Sequence, residues 1–177
     1  VSTVEDVDRL EIRDPERVAF LTQTTLSLDE TRDIVARLKE RFPAIIGPKQ
    51  QDICYATENR QVGVKAVVPS SDVLLVVGSQ NSSNSRRLVE VCEKEGVPSY
   101  LVDDASCIRS EWLEGVETVA VTAGASAPEV LVQNLIALLQ SRFGFGSLEE
   151  MELKQEDVRF QLPVISGTPG RRAALPA

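Results

Sequence analysis

Three short polar loops and one cysteine carry most of the groups in this sequence that could do chemistry. The loops are Thr22-Gln-Thr-Thr-Leu-Ser27, Ser79-Gln-Asn-Ser-Ser-Asn-Ser85 and Ala123-Gly-Ala-Ser126. Each follows a short apolar run and precedes an amphipathic stretch, so each reads as the turn from the carboxyl end of a strand into a helix. Ligands bind at that edge of open α/β sheets. Helix N-termini there present unpaired amides and a partial positive charge, which suit phosphate. For any one loop, ordinary helix capping by Ser, Thr or Asn accounts for the composition equally well. Seven polar residues in succession from Ser79 to Ser85 exceed what one cap needs. Taken together, the three loops point to a phosphate or diphosphate cradle built from neutral donors.

Cys54 lies between Ile53 and Tyr55 in a loop ahead of a helical stretch. A thiol at a helix N-terminus favours thiolate chemistry or metal ligation. The alternative is a small buried hydrophobe, the default for a free cysteine. Cys92 falls on an apolar helix face and is expected in the core, as is Cys107. Three cysteines make an odd count without CxxC spacing. A disulfide framework is therefore not expected, and a reducing cytoplasm is.

Composition narrows the field. The chain has 177 residues, with 19 Lys+Arg against 27 Asp+Glu, a net charge of −8, and no His. The acidic balance argues against general nucleic-acid or anionic-membrane partners. The lack of His excludes a Ser-His-Asp triad, a Cys-His pair and a His-rich zinc site within this chain. Apolar runs such as Val73 to Val77 are far too short to span a bilayer. The first ten residues are acidic where a signal peptide would be basic. Val1 in place of Met points to a piece of a longer chain.

The elements that must position the loops alternate between strand and helix, which implies βα units and a parallel sheet. Thr3 and Asp6 mark a first helix carrying Val4, Val7 and Leu10 on one face, closed by Asp14-Pro15. Val18 to Thr22 reads as a buried strand. Ser27 and Glu30 have the spacing of a capping box for a helix with Ile34, Val35, Leu38 and Phe42 on its apolar side and a solvated charged face over residues 29–41. Ala44 to Ile46 is a short strand. A second segment starts near Gln50, and Thr57 is placed to cap a helix reaching Val67. Val73 to Val77 is an unbroken apolar strand, as in a sheet covered on both faces. A helix with Leu88, Val89 and Cys92 inward follows, stopped by Gly96. Ser99 to Val102 is a strand, Asp103 to Gly115 holds a short helix over Trp112 and Leu113, and Thr118 to Thr122 is the last strong strand. Pro128 and Glu129 open a helix running to Phe143. Val158 to Leu162 alternates like an edge strand, and Gly167 to Ala177 has the composition of disorder.

Four stretches resemble a known family: TQTTLS at 22–27, DICYATENRQ at 52–61, LLVVGSQNSSNS at 74–85 and VTAGASAPE at 121–129. In order and spacing they are similar to the C-terminal half of the LytB-type 4-hydroxy-3-methylbut-2-enyl diphosphate reductases, and the similarity runs to about residue 162. The resemblance implies an oxidoreductase of non-mevalonate isoprene biosynthesis with a [4Fe-4S] cluster held by three cysteines. It implies reductive removal of a hydroxyl from a small allylic diphosphate, giving isopentenyl and dimethylallyl diphosphate, with electrons from a ferredoxin or flavodoxin. It also implies three α/β lobes: residues 1–50 as the end of the second, 51–143 as the third, and 144–177 as a partly disordered tail. Carried over by position, Cys54 matches a cluster ligand and Thr24 the threonine that relays a proton to the substrate. Ser82, Ser83, Asn84 and Ser126 match diphosphate-binding positions.

The family's other two cluster cysteines, its His residues and its proton-donating Glu have no counterpart among these residues, so this piece by itself is expected to be inactive. Val67 to Ser71 departs locally from the family's helix. A non-catalytic diphosphate-binding α/β module, with Cys54 structural, is the competing reading.

Overall fold

A computed structural model describes residues 1–48 and 53–151. The expected start of a second segment near Gln50, the edge strand at Val158 to Leu162 and the tail from Gly167 lie outside the described residues.

The centre is a three-stranded parallel sheet of order β2-β1-β3, formed by β1 (Val73–Val77), β2 (Ser99–Val102) and β3 (Val119–Ala123). All five residues of β1 are buried. Alternate side chains of a strand point to opposite faces, so this run feeds two separate apolar layers. On one face Leu74, Val76 and Ala120 pack against Val64 and Val68 and against Leu88, Val91 and Cys92. These come from helix α3 (Tyr55–Val67) with the short turn after it, and from α4 (Ser83–Lys94). On the other face Val73, Leu75, Val77 and Val102 meet Ile108, Leu113, Leu135 and Leu139. The last two lie on α5 (Glu129–Phe143). Full burial of each such side chain stabilises by roughly 1.5–3 kcal/mol.

The region expected to be a short helix, Asp103 to Gly115, forms two 3-10 turns, Ala105–Cys107 and Ser110–Leu113. Trp112 stacks on Tyr100 of β2, with ring centroids 4.0 Å apart. Cys107 is exposed, contrary to the core position expected for it, because its turn lies on the surface while Ile108 takes the inward place. Gly96 has φ +82°, the left-handed conformation that ends α4 where the sequence indicated.

The first 48 residues build a smaller layer. Helix α1 (Val4–Asp8) begins with the Thr3–Asp6 capping box, and α2 (Leu28–Arg41) packs on it through Val7, Leu38 and Phe42. The Arg41 guanidinium donates to the carbonyls of Val7 and Leu10, tying α2 to the end of α1. Val18 to Thr22 is not the buried strand expected. It makes one isolated parallel bridge, Ala19 to Ile46, and Leu21 is 85% exposed. The Ala44 to Ile46 run is likewise reduced to that bridge. Two strands of this length have too little sheet to bury both faces.

The Ser27–Glu30 capping box does not form, since the Ser27 side chain makes no cap hydrogen bond. Glu30 instead meets Arg87 at 3.1 Å and pairs with Lys94, while Asp29 pairs with Lys65. The first turn of α2 therefore faces α3 and α4 rather than solvent as expected. Partly exposed ion pairs of this kind are each worth about 0–1 kcal/mol.

Asp72 closes the bottom of the sheet. Its Oδ2 accepts from the backbone N–H groups of Thr118 and Glu117, each at 2.9 Å, and these two bonds hold its carboxyl below the ordinary value. A carboxyl depressed in the folded state contributes stability that is complete above its unfolded value of about 4 and is lost as pH falls through the folded value. Asp72→Asn is therefore expected to lose less melting temperature than the unaltered chain between about pH 6 and about pH 3. Thermal melts across that range check it, and an unchanged slope contradicts it.

Candidate functional site

In the parallel register Val77 lies opposite Ala123, so the carboxyl ends of β1 and β3 are level. The chain leaves them toward opposite faces, β1 into α4 and β3 into α5. Neighbouring strands whose connections diverge leave a crevice at their carboxyl ends. Gly124 N–H donates to the Val77 carbonyl at 2.9 Å, drawing the two loops together. Ser85 fills the space between them. A Cβ on Gly78 would lie 2.3 Å from Ser85 Oγ and 2.9 Å from its Cβ, and one on Gly124 would lie 2.2 Å from that Oγ. Both positions exclude a side chain because Ser85, 1% exposed, is already there.

Around this wedge the sequence-predicted residues take distinct places. Ser82 is the N-cap of α4; its Oγ accepts from Ser85 N–H at 3.2 Å and from Ser85 Oγ–H at 3.0 Å. Ser83 and Asn84 belong to the first turn of α4, not to a continuing loop. Ser83 is exposed, and so is Ser126 in the neighbouring loop. Asn84 is only 7% exposed, and neither end of its carboxamide has a hydrogen-bond partner in the protein. A buried unsatisfied amide costs about 1–3 kcal/mol. It lies beside the N-terminus of α4 at the crevice, with both a donor and an acceptor unused.

Cys54 is the N-cap of α3 and is exposed. Thr57, expected to cap that helix, is buried inside its first turn, because the helix starts earlier, at Tyr55. Thr24 is exposed, and its carbonyl accepts from Cys54 N–H at 3.1 Å, so thiol and threonine share one edge. Arg60 of α3 donates through Nε to the Ala123 carbonyl at 2.9 Å, fixing the cysteine-bearing helix to the third loop. Between the first loop and α4, Gln23, Thr25 and Leu26 face Ser83, Arg86 and Arg87 across an open polar cleft of about 260 Å³. The fold thus gathers all three loops and Cys54 along one rim.

Cys54 puts one thiol, and so one metal ligand, on this rim. Among the described residues no group of three or more Cys, His, Asp or Glu could hold a metal ion. Cys92 is buried, and burial pushes its thiol up, away from the thiolate a metal needs. The donor set therefore fits one corner of a shared site and not a complete one.

Arg60, Gln61 and Ser85 were not singled out by sequence. Arg60 and Gln61 sit within a recognisable stretch, yet their contacts are with residues 63 and 35 positions away, a separation that local pattern does not carry. Ser85 reads as one more polar loop residue, although two glycines opposite a serine hint at close approach.

Fold and rim together define a parallel α/β protein with hydroxyl-bearing loops and a helix N-terminus beside an accessible thiol. Comparison makes the class particular. A family model described as LytB protein matches residues 1–140, and the chain belongs to that family. It is 56% identical over 164 residues to a 4-hydroxy-3-methylbut-2-enyl diphosphate reductase of Tolumonas auensis, covering 93% of this chain and 53% of that protein. With the enzyme of the same name from Ruegeria pomeroyi it shares 55% over 170 residues, 96% of this chain and 54% of that one. The solved E-1-hydroxy-2-methyl-but-2-enyl-4-diphosphate reductase of Plasmodium falciparum superposes with a TM-score of 0.84 at 33% identity, covering 92% of this chain and 52% of that one. The chain thus spans about half the length of the relatives it matches. No helix among the described residues is long and apolar enough to cross a membrane.

The glycine–serine wedge gives a discriminating test. Gly124→Ala and Gly78→Ala should each destabilise by about 1–3 kcal/mol through overpacking. Adding Ser85→Ala should rescue the first, whose nearest remaining neighbour, the Ser85 Cβ, lies at 3.4 Å, and fail to rescue the second, where that Cβ lies at 2.9 Å. Denaturant unfolding of the four variants checks this, and equal rescue of both contradicts it.

Proposed function

We propose that this chain supplies the diphosphate cradle and one cluster ligand of a 4-hydroxy-3-methylbut-2-enyl diphosphate reductase. The observation that carries the reading is Asn84, a buried carboxamide with no protein partner at a crevice whose other groups are hydroxyls and helix amides. Membership of the LytB family supports it. Residues 1–50 and 51–143 act as parts of two lobes, with 144–177 as a tail, and Gln61 and the ion pairs of α2 join the first to the second. The remaining cluster ligands come from polypeptide outside these 177 residues, and without it the chain does not turn over substrate.

Ser82, Ser83, Asn84 and Ser126 donate to the diphosphate oxygens, with the N-terminus of α4 adding its partial positive charge. Cys54 would hold one iron of a [4Fe-4S] cluster, which would supply electrons one at a time. Thr24, tied to Cys54 through the backbone, holds the proton that the departing hydroxyl takes up. The net change consumes two electrons and two protons, breaks the carbon–oxygen bond, forms a carbon–hydrogen bond and releases water. Ferredoxin or flavodoxin in the cytoplasm provides the electrons.

Anaerobic reconstitution of the complete reductase with iron and sulfide is the test. The unaltered protein should show broad visible absorption, and Cys54→Ser should not retain an intact cluster. Thr24→Ala should keep the absorption and lose about 10²–10⁴-fold in kcat, the usual range for a proton-transfer group. A cluster unaffected by Cys54→Ser leaves the competing module, with a structural Cys54, as the better account.

A further inference from the structure

Gln61 is completely buried in the middle of α3 and uses both ends of its carboxamide. Its Nε2 donates to the Leu26 carbonyl at 2.9 Å, and its Oε1 accepts from Leu28 N–H at 3.1 Å. Leu28 is the first residue of α2, so its amide is one of those a helix leaves open at its N-terminus. The local cap, Ser27, does not serve it. The cap instead comes from another helix, 33 residues along the chain. Two turns earlier on α3, the Cys54 amide holds the Thr24 carbonyl at 3.1 Å. Three backbone groups between Thr24 and Leu28 are therefore held by two points of one helix.

We infer that Gln61 is a positioning residue that fixes the Thr24 hydroxyl relative to Cys54. The inference rests on the reading of Thr24 as the proton-holding group. Between its two anchors the loop has few free torsions, so the threonine keeps one position beside the cysteine-bearing end of α3. Replacing Gln61 by an apolar residue leaves the part-buried Leu26 carbonyl and Leu28 amide unpaired. The loop then relaxes outward, and its Thr24 end moves with it. Displacements of about 1 Å in a positioned group can cost on the order of 10²-fold in rate.

The test is a double-mutant cycle in the complete, cluster-loaded reductase. Gln61→Leu is expected to lower kcat about tenfold or more, with KM within about threefold and the cluster absorption retained. Because Gln61 acts through Thr24, Gln61→Leu added to Thr24→Ala should lower kcat no further. Losses that multiply, or a Gln61→Leu enzyme within about twofold of the unaltered one, overturn the inference. Should Gln61→Leu fail to fold, Gln61→Glu serves in the same cycle: it keeps an acceptor for Leu28 N–H and, as a carboxylate, offers nothing to Leu26. A Thr24→Ala enzyme of undiminished kcat overturns the relay reading itself and this inference with it. A normal Thr24→Ala loss beside an unaffected Gln61 variant overturns the inference alone.

Discussion

Loops that leave the carboxyl edge of a sheet carry backbone groups that no neighbouring strand can satisfy, and in this chain helix α3 meets them. Its N-cap amide takes the Thr24 carbonyl, Gln61 takes Leu26 and Leu28, and Arg60 takes Ala123. Buried peptide groups must be paired. The requirement that makes these loops foldable therefore also places them around Cys54. Two of the three loops hang directly on this one helix.

The remaining loop, Ser79 to Ser85, is fixed by packing. Ser85 occupies the volume that side chains at Gly78 and Gly124 would need, so the ends of β1 and β3 approach closely and Ser82 is held by the same serine. The charge of −8 does not conflict with a diphosphate ligand. Acidic side chains such as Asp29 and Glu30 are engaged with Lys65, Arg87 and Lys94, while the crevice presents hydroxyls, amides and a helix N-terminus.

Much of this was legible in the sequence. The apolar run Val73 to Val77 states a doubly covered central strand, Pro128 and Gly96 state helix ends, and the polar stretches after Val77 and Ala123 state strand-to-helix turns. What was illegible depended on distant partners. Ser27 and Glu30 have the spacing of a capping box, but Gln61 takes the amide and Arg87 and Lys94 take the carboxylate. Thr57 looks like a cap, but Cys54 precedes the helix and Thr57 is drawn inside. Val18 to Thr22 has the composition of a buried strand, and a strand is buried only where neighbours cover it; here Leu21 stands in solvent. Cys107 reads as a core thiol like Cys92, but it ends a surface 3-10 turn and is exposed.

The central claim is that the crevice at the ends of β1 and β3 holds a diphosphate. A crystal structure of the complete reductase with the allylic diphosphate bound tests it most directly. Phosphate oxygens are expected within about 3 Å of the Asn84 side-chain nitrogen and of the Ser82, Ser83 and Ser126 hydroxyls. A diphosphate bound elsewhere, with the Asn84 carboxamide still lacking a partner, would contradict the account.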